Sequence, residues 1–95
     1  MLELQSVDVC MIINEAHGLN LLTLLRGLAS PRAILRVNVW DNHPDSGNIA
    51  HVVAEARAKR DCHYFPARRP VGYGRALNQL AQTCHAPWIL IVAPS

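Results

Sequence analysis

The sequence lacks long apolar runs, a strong charge of either sign and paired cysteines. Its net charge is only +2, and its arginines are scattered apart from Arg68 and Arg69. This excludes the basic stripe that binds nucleic acid or an anionic membrane. No apolar run approaches the roughly 20 residues of a membrane-spanning helix, and the first residues lack the basic flank and apolar block of a signal peptide. These absences predict a cytoplasmic protein with no transmembrane segment.

The cysteines and histidines give no sign of a metal centre. Cys10, Cys62 and Cys84 form no C-x-x-C pair, and each lies inside an apolar pattern. This favours buried free thiols in a reducing compartment over a disulfide or a metal site. No His, Cys, Asp or Glu cluster has metal-ligand spacing, and no Ser/His/Asp or Cys/His arrangement has the context of a nucleophilic site.

Apolar runs and amphipathic segments alternate along the 95 residues, half of which are apolar. The runs predict strands at 7–13, 35–40, 62–65 and 88–92. The amphipathic segments predict helices over 19–28, over 49–56 with Asp45 or Ser46 as the cap, and over 77–84. This order indicates one α/β domain over 1–95: a three-layer, mostly parallel sheet with helices on both faces.

The relative apolarity of the strands predicts their places in the sheet. The first and last strands are the most apolar, so we expect them at the centre, with the short third strand at an edge. An apolar strand at 88–92 without a neighbour would expose an unpaired edge. We therefore expect either that the 95 residues are the front part of a larger domain, or that a homo-oligomer covers this edge.

Polar residues gather after the predicted strands. In open parallel sheets, ligands bind beyond the carboxyl ends of the strands. The residues expected at this rim are Asn14, Glu15, Asp41, Asn42, Asp45, Arg68, Arg69, Gly72, Gly74, Arg75 and Asn78. These side chains suit a polar ligand that has both a hydrogen-bonding edge like that of a nucleobase and a phosphate group.

Each of these features has a plainer interpretation. Asn14 and Glu15 are also typical of a helix cap, and Asp41 of an ordinary turn. The segment "PVGYGRALN" has glycines two apart before a helix, but it lacks the third glycine of G-x-G-x-x-G and the lysine of a P-loop.

Four segments in order resemble the family 2 glycosyltransferases, which are inverting enzymes with the GT-A nucleotide-sugar fold. They are a strand ending in Asn14-Glu15, then "DNHPDSG", "PVGYGRALN" and "PWILIVAPS", and the resemblance covers about residues 6–95. It implies a domain that binds a UDP- or dTDP-sugar, within a parent enzyme that transfers the sugar to an acceptor hydroxyl with inversion.

The resemblance also implies roles for individual residues. Asp41 would accept a hydrogen bond from the uracil ring, and Asp45 would hold the loop. The remaining nucleotide-binding residues would be Ile12, Asn14 and Glu15 at the base and ribose, Arg69 and Arg75 at the base or diphosphate, and Gly72 and Gly74 where the backbone passes the ligand. Asn78 would brace the loop.

Departures from the family pattern leave alternatives open. Pro70 and Met11-Ile12-Ile13 differ from the residues that the family often has, and Ala93-Pro94-Ser95 stands where members carry the acidic motif that binds Mn²⁺ or Mg²⁺. No metal ligand and no catalytic residue is therefore identified. One alternative is a non-catalytic nucleotide-binding or assembly module. A weaker one is a response-regulator receiver, whose acidic cluster and phosphorylatable aspartate are both missing.

Overall fold

The computed structural model describes residues 4–14, 18–28 and 33–92, with the backbone alone at 18–20 and 22. Strands and helices alternate along the chain. The strands are β1 (Gln5–Ile13), β2 (Ala33–Asp41), β3 (Cys62–Pro66) and β4 (Trp88–Val92). The helices are α1 (Gly18–Gly27), α2 (Asn48–Ala56) and α3 (Tyr73–Ala81), and a short 3-10 helix (Pro44–Ser46) precedes α2. Within these ranges, no helix has the length and apolar character to cross a membrane.

The four strands form one parallel sheet in the order β3-β2-β1-β4. In the middle of the sheet, Val9 of β1 is paired with Val37 of β2 on one side and with Leu90 of β4 on the other. The order 3-2-1-4 is that of the first four strands of a doubly wound nucleotide-binding sheet. The chain therefore has a Rossmann-like α/β fold, and the predicted α/β class is confirmed.

Helices cover both faces of the sheet, because alternate residues of each strand point to opposite sides. Val9, Met11 and Ile13 pack with residues of α1 and α2 in one buried cluster. Cys10 and Ile12 pack under α3 in a second cluster. The three-layer arrangement predicted from the alternation of patterns is therefore present.

The prediction for β4 is wrong, whereas the edge position of β3 is confirmed. Within the described sheet β4 is an edge strand, and β1 and β2 are the two central strands. The side chains of Trp88, Ile89, Leu90 and Ile91 are 46% to 62% exposed. The apolar composition of a strand indicates a tendency to be buried, but it does not indicate which neighbouring element covers the strand.

Two predicted helix boundaries also differ. Gly47, and neither Asp45 nor Ser46, is the N-cap of α2, with φ at 74°. The hydroxyl of Ser46 still accepts a 3.3 Å bond from the N–H of Asn48, the first residue of that helix. Helix α3 ends at Ala81, so that Cys84 lies in the connection to β4 rather than on the helix.

Candidate ligand-binding site

Asn42 joins three connections at the carboxyl-end rim of the sheet. Its side-chain N–H₂ donates to Oδ1 of Asn14 at 2.6 Å and to the carbonyl of Val71 at 3.0 Å. Its side-chain oxygen accepts from the indole N–H of Trp40 at 2.8 Å and from the N–H of Val71 at 3.3 Å. Asn42 is 1% exposed, and these four bonds satisfy both ends of its amide. The ends of β1 and β2 and the loop before α3 are thus fixed to one another.

Asp41 is the last residue of β2, and it is also buried. Its Oδ1 accepts the N–H of His43 at 2.9 Å, and its Oδ2 accepts the hydroxyl of Tyr64 at 2.7 Å. Burial raises the pKa of Tyr64, and the hydrogen bond to Asp41 raises it further. The Asp41 carboxylate is therefore held rigidly between the loop that it begins and the neighbouring strand.

The residues expected after β1 divide between core and rim. Ile12 is 5% exposed and packs under α3, so its side chain belongs to the core. Asn14 is exposed at the rim and accepts from Asn42. The carbonyl of Ile13 accepts the backbone N–H of Asn42 at 2.9 Å. Glu15 lies outside the described residues.

Asp45 lies in the 3-10 helix after β2, with its side chain exposed. The following Gly47 has the left-handed conformation, and its N–H donates to the carbonyl of Pro44 at 3.1 Å. A residue with a Cβ adopts this conformation only with strain. Gly47 therefore lets the loop turn directly into α2.

Three arginines line a cavity of about 360 Å³ at the edge of the rim, beside the end of β3. Arg68 and Arg69 come from the loop after β3, and Arg75 from the first turn of α3. The indole of Trp40 and the side chain of Gln79 complete the polar part of the lining. Planar guanidinium groups next to an aromatic ring suit an anionic ligand that also has a flat ring.

Gly72 and Gly74 are exposed where this loop enters α3. Neither has a positive φ, and a Cβ added at either position would have no protein atom within 4 Å. The fold itself therefore requires glycine at neither position. Asn78, expected to brace the loop, is exposed on α3, and the bracing side chain is that of Asn42.

Sequence reasoning missed Trp40 and Tyr64 at this site. Both are aromatic side chains with one polar atom; Trp40 is the penultimate residue of β2, and Tyr64 is the middle residue of the neighbouring β3. Buried tyrosine and tryptophan usually find a hydrogen-bond partner for that atom. An aromatic residue with a polar tip next to the Asp41-Asn42 pair was therefore a usable signal.

A second buried polar cluster lies toward the amino ends of the strands. Asp8 is 2% exposed and accepts from the amide of Asn38 at 3.0 Å and from the N–H groups of His85 and Ala86 at 3.0 and 2.9 Å. Burial by itself would raise the pKa of Asp8. The hydrogen bonds from Ala86, Asn38 and His85 and the charge of Arg36 outweigh burial, and the pKa is lowered. This cluster holds the connection between α3 and β4 against β1.

Comparison with known proteins adds no family. No protein-family model, curated protein or solved structure matches the chain. Among residues 4–14, 18–28 and 33–92, no group of three or more His, Cys, Asp or Glu is placed to hold a metal ion.

Proposed function

We propose that the chain is the nucleotide-sugar-binding part of a glycosyltransferase of the family 2, GT-A type. The observation that carries this proposal is the rim built around Asn42. The amide of this residue bonds the end of β1 at Asn14 and the loop before α3 at Val71. These are the segments that the resemblance assigns to base, ribose and diphosphate, and they meet where open parallel sheets bind ligands.

The arginine-lined cavity supports the same proposal. Arg69 and Arg75 line it beside the ring of Trp40. A nucleoside diphosphate offers both a flat base and anionic oxygens, and guanidinium groups bind such oxygens with two parallel hydrogen bonds. The polar and aromatic lining of this cavity therefore suits a nucleoside diphosphate.

Asp41 has a positioning role in this proposal. Tyr64 and His43 each occupy one of its oxygens, and its side chain is 1% exposed. Each carboxylate oxygen keeps a second lone pair. In this proposal a uracil N–H donates to one of these remaining lone pairs.

The residues at 4–14, 18–28 and 33–92 offer no group that fits the divalent metal used by the family. No acidic cluster is present in the described part, and Ala93-Pro94-Ser95 offers no carboxylate after β4. The chemistry of the parent enzyme would be the attack of an acceptor hydroxyl on the sugar, with a general base taking its proton. This chain would bind and orient the donor.

Calorimetric titration with UDP and with ADP tests this proposal. We expect tighter binding of UDP, and we expect Arg75→Ala to weaken it about tenfold or more, because charge-assisted hydrogen bonds contribute about 1.5–3 kcal/mol. Arg26→Ala is the matched control, since Arg26 is exposed in the last turn of α1 on the other face of the sheet. Equal affinity for UDP and ADP would remove the case for a uracil site.

The variant Gly74→Ala distinguishes an effect on UDP binding from an effect on protein stability. Alanine in place of glycine inside a helix stabilises it by about 0.5–1 kcal/mol, and here the added methyl group meets no protein atom within 4 Å. We expect unchanged or higher stability together with weaker UDP binding. Unchanged UDP affinity would show that the backbone at Gly74 does not approach the nucleotide.

The exposed β4 favours a second candidate, an assembly module. Trp88, Ile89, Leu90 and Ile91 are about half exposed on an edge strand. Two copies related by a two-fold axis could pair their β4 edges antiparallel, which would cover the backbone groups of the edge and part of these side chains. Sedimentation analysis should then give a dimer that Leu90→Lys dissociates. A monomer that binds UDP would exclude this candidate.

A further inference from the structure

Two cysteines far apart in the sequence meet between β1 and the connection after α3. The Sγ atoms of Cys10 and Cys84 are 3.5 Å apart, although 74 positions separate the two residues. Cys10 is fully buried in the middle of β1, and Cys84 is partly exposed. The third cysteine, Cys62, is buried in the cluster under α1 and α2, on the other face of the sheet.

The position of each thiol is set by its neighbours. Cys84 lies three residues beyond α3, and its thiol points to the carbonyl of Leu80 at 3.6 Å. The amide of Asn38 approaches the same sulfur at 3.9 Å. Cys10 is held by the pairing of β1 with both β2 and β4. These contacts place the two thiols side by side in the folded protein.

We propose that Cys10 and Cys84 are a redox modification site and form a disulfide by exchange with a small-molecule disulfide. A disulfide has an S–S bond of about 2.05 Å, so the two sulfurs must approach by roughly 1.5 Å. Cys84 is in a connection outside α3, and a small shift of this connection brings the sulfurs together.

The exchange proceeds in two displacements. The Cys84 thiol loses its proton, and its thiolate attacks one sulfur of the small disulfide. One half of that molecule stays bound to Cys84 and the other half leaves as a thiolate. Cys10 then loses its proton and attacks the Cys84 sulfur, which releases the second half as a thiolate. Two protein thiols are oxidised, the small disulfide is reduced to two thiols, and the two protons pass to the released thiolates.

The order of the two displacements follows from exposure. Cys84 is the accessible thiol, whereas Cys10 is reached only from inside the protein. Burial and the contact with Cys84 raise the pKa of Cys10. The second displacement therefore accelerates as the pH rises, because more Cys10 is thiolate.

Treatment with oxidised glutathione, followed by intact mass analysis and alkylation after denaturation, tests this site. We expect the wild-type chain to lose the mass of two hydrogen atoms, and its alkylated cysteines to fall from three to one. Digestion should then yield a cross-linked peptide pair that contains Cys10 and Cys84. Cys62→Ser is the matched control and should oxidise at the wild-type rate.

Variants at Cys10 and Cys84 distinguish the attack of Cys84 on the small disulfide from the attack of Cys10 on the Cys84 sulfur. Cys10→Ala should keep glutathione on Cys84 as a stable adduct, and Cys84→Ser should react at neither step. If Cys10→Ala does not fold, the wild-type and Cys62→Ser masses still decide the matter. A stable glutathione adduct on the wild-type chain, a cross-link that includes Cys62, or an unmodified chain would each overturn the proposal.

Discussion

The hydroxyl of Tyr64 on β3 donates a 2.7 Å hydrogen bond to Oδ2 of Asp41 at the end of β2. Oδ1 of the same carboxylate accepts the N–H of His43. A buried carboxylate is stable when donors surround it, because an unpartnered one loses its hydration without compensation. The loop after β2 is consequently anchored from the neighbouring strand as well as from its own.

Replacing Tyr64 with phenylalanine should lower the free energy of unfolding by about 2 kcal/mol, because it leaves Oδ2 of Asp41 without its donor. Urea denaturation measures this difference. Tyr73→Phe, at an exposed position on α3, should change stability by less than about 0.5 kcal/mol.

The pH dependence of this variant provides an internal check. The pKa of Tyr64 is higher in the folded state than in the unfolded state, where it is about 10. The Tyr64 hydroxyl therefore makes its full contribution to the free energy of unfolding below about pH 10, and this contribution is lost as the pH rises through the pKa of the folded state. The phenylalanine variant should lack this part of the alkaline loss. An identical alkaline slope in both proteins would contradict the hydrogen bond.

Asn42→Ala should destabilise the chain by about 3 kcal/mol. The substitution removes four hydrogen bonds and leaves the partly buried polar groups of Trp40 and Val71 without these partners. Amide hydrogen exchange should show faster exchange at Val71. Asn78→Ala is the control, and this exposed position should have an effect near zero. Equal effects at both positions would show that Asn42 does not brace the rim.

Asp8→Asn should lower the free energy of unfolding by about 3 kcal/mol at neutral pH, because it removes a buried charge that accepts hydrogen bonds from three N–H donors. The folded pKa of Asp8 lies below its unfolded value of about 4. Its contribution is therefore complete above about pH 5, and it is lost as the pH falls through the folded pKa.

Urea denaturation at pH 7 and near pH 3 tests both parts of this prediction. The wild type should lose more stability between these conditions than Asp8→Asn does. Asp45→Asn, at an exposed position, should follow the wild type at both pH values. A wild type and an Asp8→Asn variant with parallel acid transitions would contradict the assigned role.

Gly47→Ala should lower stability by about 1 kcal/mol or more, since φ of 74° places a Cβ against the adjacent carbonyl oxygen. Thermal unfolding followed by circular dichroism measures the change. Gly47→Asn should be milder, because asparagine tolerates this conformation better. Gly72→Ala is the matched control, because Gly72 has φ of −61° and open space around it. A larger effect at Gly72 would refute the assignment.

Local patterns in the sequence were sufficient for the four strands and for the two-sided arrangement of helices. The run from Val7 to Ile13 predicts β1 because few other structures bury so continuous a sequence. The place of β4 was not predictable in this way. The apolar character of residues 88–92 is the same whether a strand, a helix or another molecule covers them.

The hydrogen-bonding partners at the rim were harder to predict than its composition. Asp41 and Asn42 stand out in the sequence as a polar pair after a strand, but their partners Tyr64 and Val71 depend on strand order and register. Asp8 was not singled out from the sequence, although a single carboxylate inside an apolar run needs hydrogen-bond donors from elsewhere. Nothing local indicates that Cys10 meets Cys84.

The sheet order has a consequence for the synthesis of the protein. Of the four described strands β1 is made first, and its edge toward β4 can pair in the observed register only once Leu90 has been made. Ribosomes add about 5–20 residues per second, so this edge waits on the order of ten seconds. During that interval the segment that becomes β1 lacks the β4 partner that it has in the folded sheet. The yield of folded protein should therefore depend on how quickly residues 84–92 leave the ribosome.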